Sequence, residues 1–243
     1  MEMAEQTERP ALEVCLSPAL LHLYDLSQKI VVVIDVLRAT STICTALYHG
    51  AQKVIPVDSV EKCMEIGRQL GAVTAGERDG HIAPGLEHGN SPLEYPASFI
   101  RDKVLVLTTT NGTRLLHMAK DAEEIIIGSF LNLSLVCEYL ISRKRPVMLA
   151  CAGWKDRINL EDTLLAGAII HRIKTHFDIQ CDAALIAEKL YEGTHKHLMH
   201  HMQQASHYKR LTRHGFEKDI AYCLTIDGAA VLPVYRDGAI ELA

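Results

Sequence analysis

Four segments of the chain concentrate residues able to do chemistry, and each follows a short apolar run. The first is Ile34-Asp35-Val36-Leu37-Arg38-Ala39-Thr40-Ser41-Thr42. Asp35 offers hard carboxylate oxygens to a divalent cation, or caps the helix that follows; Arg38 offers a bidentate clamp for an anion. The second, Ala75-Gly76-Glu77-Arg78-Asp79-Gly80 running on to Gly89-Asn90-Ser91-Pro92, repeats the acid-then-base order with Glu77 and Arg78. Glycine lets its backbone approach a ligand closely, and Asn90 and Ser91 are candidate contacts. In the third, Thr108-Thr109-Thr110-Asn111-Gly112-Thr113, hydroxyls and backbone N–H groups at a helix start suit an anion, where capping alone needs one such residue. It is no Walker A loop, because GxxxxGK[ST] is missing. In the fourth, Cys151-Ala152-Gly153-Trp154-Lys155-Asp156-Arg157 precedes Asn159-Leu160-Glu161-Asp162. Cys151 and Arg157 have the C-x5-R spacing of cysteine phosphatases, but so do Cys137 and Arg143 inside an expected helix, so the spacing is weak evidence. Glu161 and Asp162 fall in the first turn of a helix, where the macrodipole favours acids and where a metal at the strand exits would find them.

The elements that would position these groups alternate. Strands are expected at Leu12–Leu16, Ile30–Val36, Lys53–Val57, Val73–Ala75, Lys103–Thr108, Glu124–Ile127, Pro146–Cys151 and Ala230–Tyr235. The consecutive apolar residues Val31 to Ile34 suit a strand covered on both faces. Helices are expected at Thr40–His49, from a capped start at Asp58-Ser59 to Leu70, at Thr113–Ala119, Leu131–Ser142 and Leu160–Phe177, with a mostly helical tail from Ala183 to Leu224. This order implies an α/β fold, a three-layer α/β/α arrangement with a parallel or mixed sheet. Residues 1–243 read as one domain, or as two closely packed α/β subdomains. Ligands in such sheets bind beyond the carboxyl ends of the strands, which is where the four segments lie.

Composition narrows the partners. With 25 basic and 30 acidic residues the net charge is -5, and aromatics make up 5%; nucleic acid is therefore not expected as a partner. No apolar run approaches the ~20 residues that span a bilayer, and Met1 to Pro10 lacks a signal-peptide pattern, so no membrane partner is expected. Seven cysteines without a CxxC pair suit a reducing cytoplasm, so a cytoplasmic protein is expected. Homo-oligomerisation is a general expectation only. The acids, arginines, hydroxyls and glycine-rich backbone together suit a metal-assisted site for a small, strongly anionic phospho-acid, with Mg²⁺ as the ion.

The quoted motifs, together with Ser206-His207, Gly215, Asp219-Ile220, Cys223 and Asp227, resemble the 2-phosphosulfolactate phosphatase family of coenzyme M biosynthesis. The resemblance runs from about Val32 to Val234. It implies a three-layer α/β/α fold and Mg²⁺-dependent hydrolysis of 2-phospho-3-sulfolactate to 3-sulfolactate and phosphate. Mapped onto the matching motifs, the chemistry assigns Asp35, with Glu77 or Asp162, to Mg²⁺. Arg38, Arg78 and Thr109-Thr110-Asn111 then bind the anionic groups. Either water attacks in line, or Asp35 is the nucleophile through an aspartyl-phosphate. His207, inside the family-like segment, is the candidate general acid. The other clustered histidines, His195, His197, His200, His201 and His214, read as a polar surface, although His197 and His201 have helical zinc-pair spacing. Two readings stand beside this one: a cysteine-dependent phosphatase or other hydrolase using Cys151, and a non-enzymatic small-anion binding protein.

Overall fold

A computed structural model describes residues 9–78, 80–179 and 181–243. Asp79 and most of the Met1–Pro10 segment discussed above lie outside the described residues. The strands are β1 (Leu12–Cys15), β2 (Ile30–Ile34), β3 (Lys53–Val57), β4 (Val73–Arg78), β5 (His81–Ile82), β6 (Val104–Thr108), β7 (Glu124–Gly128), β8 (Val147–Cys151), β9 (Pro233–Arg236) and β10 (Ala239–Leu242). The helices are α1 (Ala39–Tyr48), α2 (Val60–Leu70), α3 (Ala97–Ile100), α4 (Gly112–Met118), α5 (Leu133–Arg143), α6 (Leu160–Ile173), α7 (Asp182–Thr194), α8 (Leu198–Met202), α9 (Ser206–Thr212) and α10 (Glu217–Cys223). The expected α/β class is what forms. Ser59 caps α2 by accepting the Lys62 N–H at 3.2 Å, and Gly71 ends that helix in the left-handed conformation.

The strands form one mixed sheet in the order β1-β8-β2-β7-β9-β10-β3-β6-β4-β5. Two parallel blocks, β1-β8-β2-β7 and β3-β6-β4, flank a central hairpin of β9 and β10 that pairs antiparallel with both. The blocks therefore run in opposite senses. β10 extends beyond the strand expected at Ala230–Tyr235. Its turn is Asp237-Gly238, both at positive φ (48° and 84°), a two-residue connection that an Asp-Gly pair adopts readily. β4 runs beyond the expected strand Val73–Ala75, continuing through Arg78, and pairs with β5.

Both blocks contribute to one apolar cluster. Val31, Val33, Ile125, Ile127 and Met148 share it with Val54, Ala75, Leu105 and Leu107, and Ile43, Leu47, Leu115 and Leu116 of α1 and α4 fill it. The sheet thus curls around these helices. The exit of β2 is brought against that of β6, so closely that a Cβ at Gly112 would lie 2.9 Å from Asp35 Oδ2. On the other face, α5, α6, α7 and the helical tail cover the first block, and α2 covers the second. Among the described residues no helix is long and apolar enough to cross a membrane.

Candidate active site

At the end of β2 the chain leaves the sheet in a turn closed by Thr40. The Thr40 N–H and hydroxyl donate to the Asp35 carbonyl at 3.0 and 2.9 Å. This leaves the Asp35 carboxylate at the base of a pocket lined also by Arg38, Glu77, Asn90, Thr109, Thr110, Asn111, Trp154, His207 and Arg210. Asp35 is buried, and desolvation raises its carboxyl to about 7. His207 opposes that rise, while Glu77 and Glu161 add to it.

Arg38 is 4% exposed. Its Nη1 meets Asp219 Oδ2 at 2.5 Å, and its guanidinium lies 4.0 Å from the Phe216 ring centroid. Ser91 Oγ donates to the other Asp219 oxygen at 2.9 Å. Asp219 therefore fixes both Arg38 and Ser91, and Ser91 reaches the site through that carboxylate. Asn90 lines the pocket, and its Oδ1 is buried without a hydrogen-bond partner.

Glu77 joins two loops: its oxygens accept the Thr110 N–H at 3.1 Å and the Gly80 N–H at 3.0 Å. Arg78 turns elsewhere, donating to the Glu77 carbonyl at 2.7 Å and to Thr108 Oγ1 at 3.1 Å. Thr109 Oγ1 accepts the Thr113 N–H at 3.2 Å, so it caps α4 while lining the pocket.

The adjacent acids of α6 divide their work. Asp162 Oδ1 accepts the Val36 N–H and Oδ2 the Gly153 N–H, each at 2.9 Å, clamping the exits of β2 and β8 beneath the pocket. Burial pushes its carboxyl well up, with Glu161 and Asp35 adding to the rise. Glu161, fully buried, meets His207 Nδ1 through Oε1 at 2.5 Å, while its Oε2 is buried with no partner. With Nδ1 engaged, Nε2 is the nitrogen of His207 left to exchange a proton with a ligand. The sequence marked Glu161 as an acid at a strand exit but did not single it out as the partner of His207. Trp154, Arg210 and Phe216 were also unassigned. The spacing of His207 and Arg210, one helical turn apart, was the available signal.

The cysteine-phosphatase loop does not form. Cys151 ends β8 inside the apolar core at 1% exposure, and burial pushes its thiol well above the ordinary range. Arg157 sits on an exposed turn closed by its backbone hydrogen bonds with Trp154. The His197–His201 helical pair does not form either, because α7 ends at Thr194 and His197 is the N-cap of a new helix, α8. Among the described residues, the one group of three or more His, Cys, Asp or Glu side chains with ligand atoms all within 4.8 Å of one another is His171, Glu188 and Glu192, on α6 and α7.

A buried acid, an arginine and an acid-supported histidine thus share one pocket at the strand ends of an α/β sheet. A family model described as 2-phosphosulpholactate phosphatase matches residues 15–238. A protein of Thermotoga maritima is 47% identical over 211 residues, covering 87% of this chain and 91% of that one. A Thermotoga petrophila protein is 46% identical over 211 residues, with the same coverages of 87% and 91%. One from Caldanaerobacter subterraneus is 39% identical over 221 residues, covering 89% and 92%. Each of the three is named probable 2-phosphosulfolactate phosphatase. The chain belongs to the 2-phosphosulfolactate phosphatase family and is a phosphoric monoester hydrolase.

Proposed function

We propose that this enzyme hydrolyses 2-phospho-3-sulfolactate to 3-sulfolactate and phosphate with Mg²⁺, in the cytoplasm and in the service of coenzyme M biosynthesis. The observation that carries the reading is the convergence of Asp35, Arg38 and His207 on one pocket. The donor set fits a hard cation. Asp35 and Glu77 supply carboxylates, Asn90 Oδ1 is a buried oxygen without a partner, and a cation would offset the burial that raises Asp35. Asp35, Glu77 and Asn90 would hold it. Asp162, which does not line the pocket and holds the Val36 and Gly153 N–H groups beneath it, is left out of that set. Mg²⁺ held there would neutralise charge and polarise the phosphoryl group.

The chain's own residues do the rest. Arg38, oriented by Asp219, keeps guanidinium donors for the phosphate beyond the one given to that carboxylate. Thr109, Thr110 and Asn111 offer hydroxyl, amide and backbone donors around the same group. Protonated at Nε2 and stabilised through Nδ1 by Glu161, His207 delivers a proton to the leaving ester oxygen. Asp35 orients the attacking water or attacks phosphorus itself; rapid-quench trapping of phosphorylated Asp35 distinguishes these routes. Phosphate release from 2-phospho-3-sulfolactate and a panel of other 2-phospho-hydroxyacids, with Mg²⁺ and with EDTA, tests the proposal. Release that requires Mg²⁺ and is fastest on the sulfonated substrate is expected; no release, or release indifferent to chelation, refutes it.

A further inference from the structure

We propose that Trp154 decides which substituents the pocket admits on the carbon chain of its substrate, an inference that rests on the phospho-hydroxyacid class proposed above. Trp154 lines the pocket and is the chain's one tryptophan. It is carried on a turn built not to yield. Trp154 and Arg157 exchange backbone hydrogen bonds at 2.9 and 3.0 Å around Lys155 and Asp156, both at positive φ (50° and 60°). Positive φ at both central residues is the signature of a type I′ turn. Ser17 Oγ donates to the Asp156 carbonyl at 2.7 Å, Arg114 Nη1 to Asp156 Oδ1 at 2.8 Å, and the Gly153 N–H to Asp162 Oδ2 at 2.9 Å, which ties the turn to its surroundings. A Cβ at Gly153 would lie 2.2 Å from the Arg157 carbonyl oxygen, so glycine is required for the turn to close this tightly.

Position in the pocket says what the ring meets. His207 and Arg210, three residues apart on α9, are neighbours on one face of that helix. The Arg210 guanidinium lies 4.0 Å from the Trp154 ring centroid. The indole therefore stands about one helical turn from His207, on the side where the ester oxygen leaves. The carbons of the hydroxyacid extend from that oxygen, so a group on C3 grows towards the indole. Lactate ends at C3 and sulfolactate adds one compact sulfonate; a phenyl group on C3 runs into the ring. An adaptable loop would repack around the larger group, whereas a wall on a pinned turn excludes it.

The experiment measures phosphate release from 2-phospho-3-sulfolactate, 2-phospholactate and 2-phospho-3-phenyllactate by wild type, Trp154→Phe and Trp154→Ala, with calorimetric titration of 3-sulfolactate and 3-phenyllactate alongside. Wild type is expected to favour the sulfonated over the phenyl substrate. Trp154→Ala should lose ~30-fold of that preference through a rise in kcat/KM on the phenyl substrate, with Trp154→Phe in between. A merely structural role would lower all three rates together, and a preference unchanged in Trp154→Ala overturns the inference. If no variant releases phosphate from any substrate, the proposed reaction fails and the titrations decide on the wall: phenyllactate binding gained in Trp154→Ala supports it, and none gained overturns it. Bound 3-sulfolactate should also shift the fluorescence of Trp154 in wild type; binding seen by calorimetry with unchanged emission overturns the inference.

Discussion

Two regions of this molecule place a histidine beside carboxylates, and they have different fates. On α6 and α7, His171, Glu188 and Glu192 gather their ligand atoms within 4.8 Å, but Lys174 already sits among them, 2.5 Å from Glu188 and 3.4 Å from Glu192. His171 and Lys174 are about 40% exposed, so solvent screens the group. In the pocket, His207 and Glu161 are buried, Glu161 Oε2 and Asn90 Oδ1 have no partner, and Asp35 is raised to about 7. The same residue types are neutralised at the surface and left charge-hungry in the pocket. What separates a site from an ion-pair network is unmet demand under low dielectric, not the proximity of ligands.

The contrast can be broken by substitution. Asp35→Asn should lower phosphate release about 10³-fold or more, because it removes the carboxylate from the reacting centre. His207→Gln should cost roughly 10²–10³-fold as the loss of a general acid, and Glu161→Gln about 10-fold. A double-mutant cycle should show these two effects to be far from additive, because Glu161 acts through His207; full additivity would separate them. A smaller effect appears in stability. In chelated protein Asp35 holds its proton up to about 7, against 3.8 for an ordinary carboxyl. The stability this contributes is present below the ordinary value and lost as pH rises through about 7. Chelated wild type should therefore lose Tm relative to Asp35→Asn as pH rises across that window; a constant difference would contradict the burial assigned to Asp35. The smallest effect belongs to the other region: His171→Asn and Lys174→Met should leave phosphate release unchanged.

The strands were legible because consecutive apolar residues such as Val31 to Ile34 admit little else, and Ser59 and Gly71 marked the ends of α2. The chemistry at the strand exits was legible from residue type. What was not legible depends on long-range geometry. The Asp237-Gly238 hairpin inserts between two parallel blocks and reverses one against the other, and only the resulting curl brings Asp35 to Thr109. Arg78 looked equivalent to Arg38, yet strand continuation turned it towards Thr108. Glu161 and Asp162 are adjacent on a helix and so point about 100° apart. One meets His207 and the other the backbone of two loops, and sequence alone does not say which.

In the proposed mechanism Asp35 anchors a Mg²⁺-dependent phosphatase pocket. The most direct test is phosphate release from 2-phospho-3-sulfolactate by wild type and Asp35→Asn, each assayed with Mg²⁺ and with EDTA. Rapid release is expected only from wild type with Mg²⁺; release by Asp35→Asn near the wild-type rate, or by wild type undiminished in EDTA, would rule out this role for Asp35 and Mg²⁺.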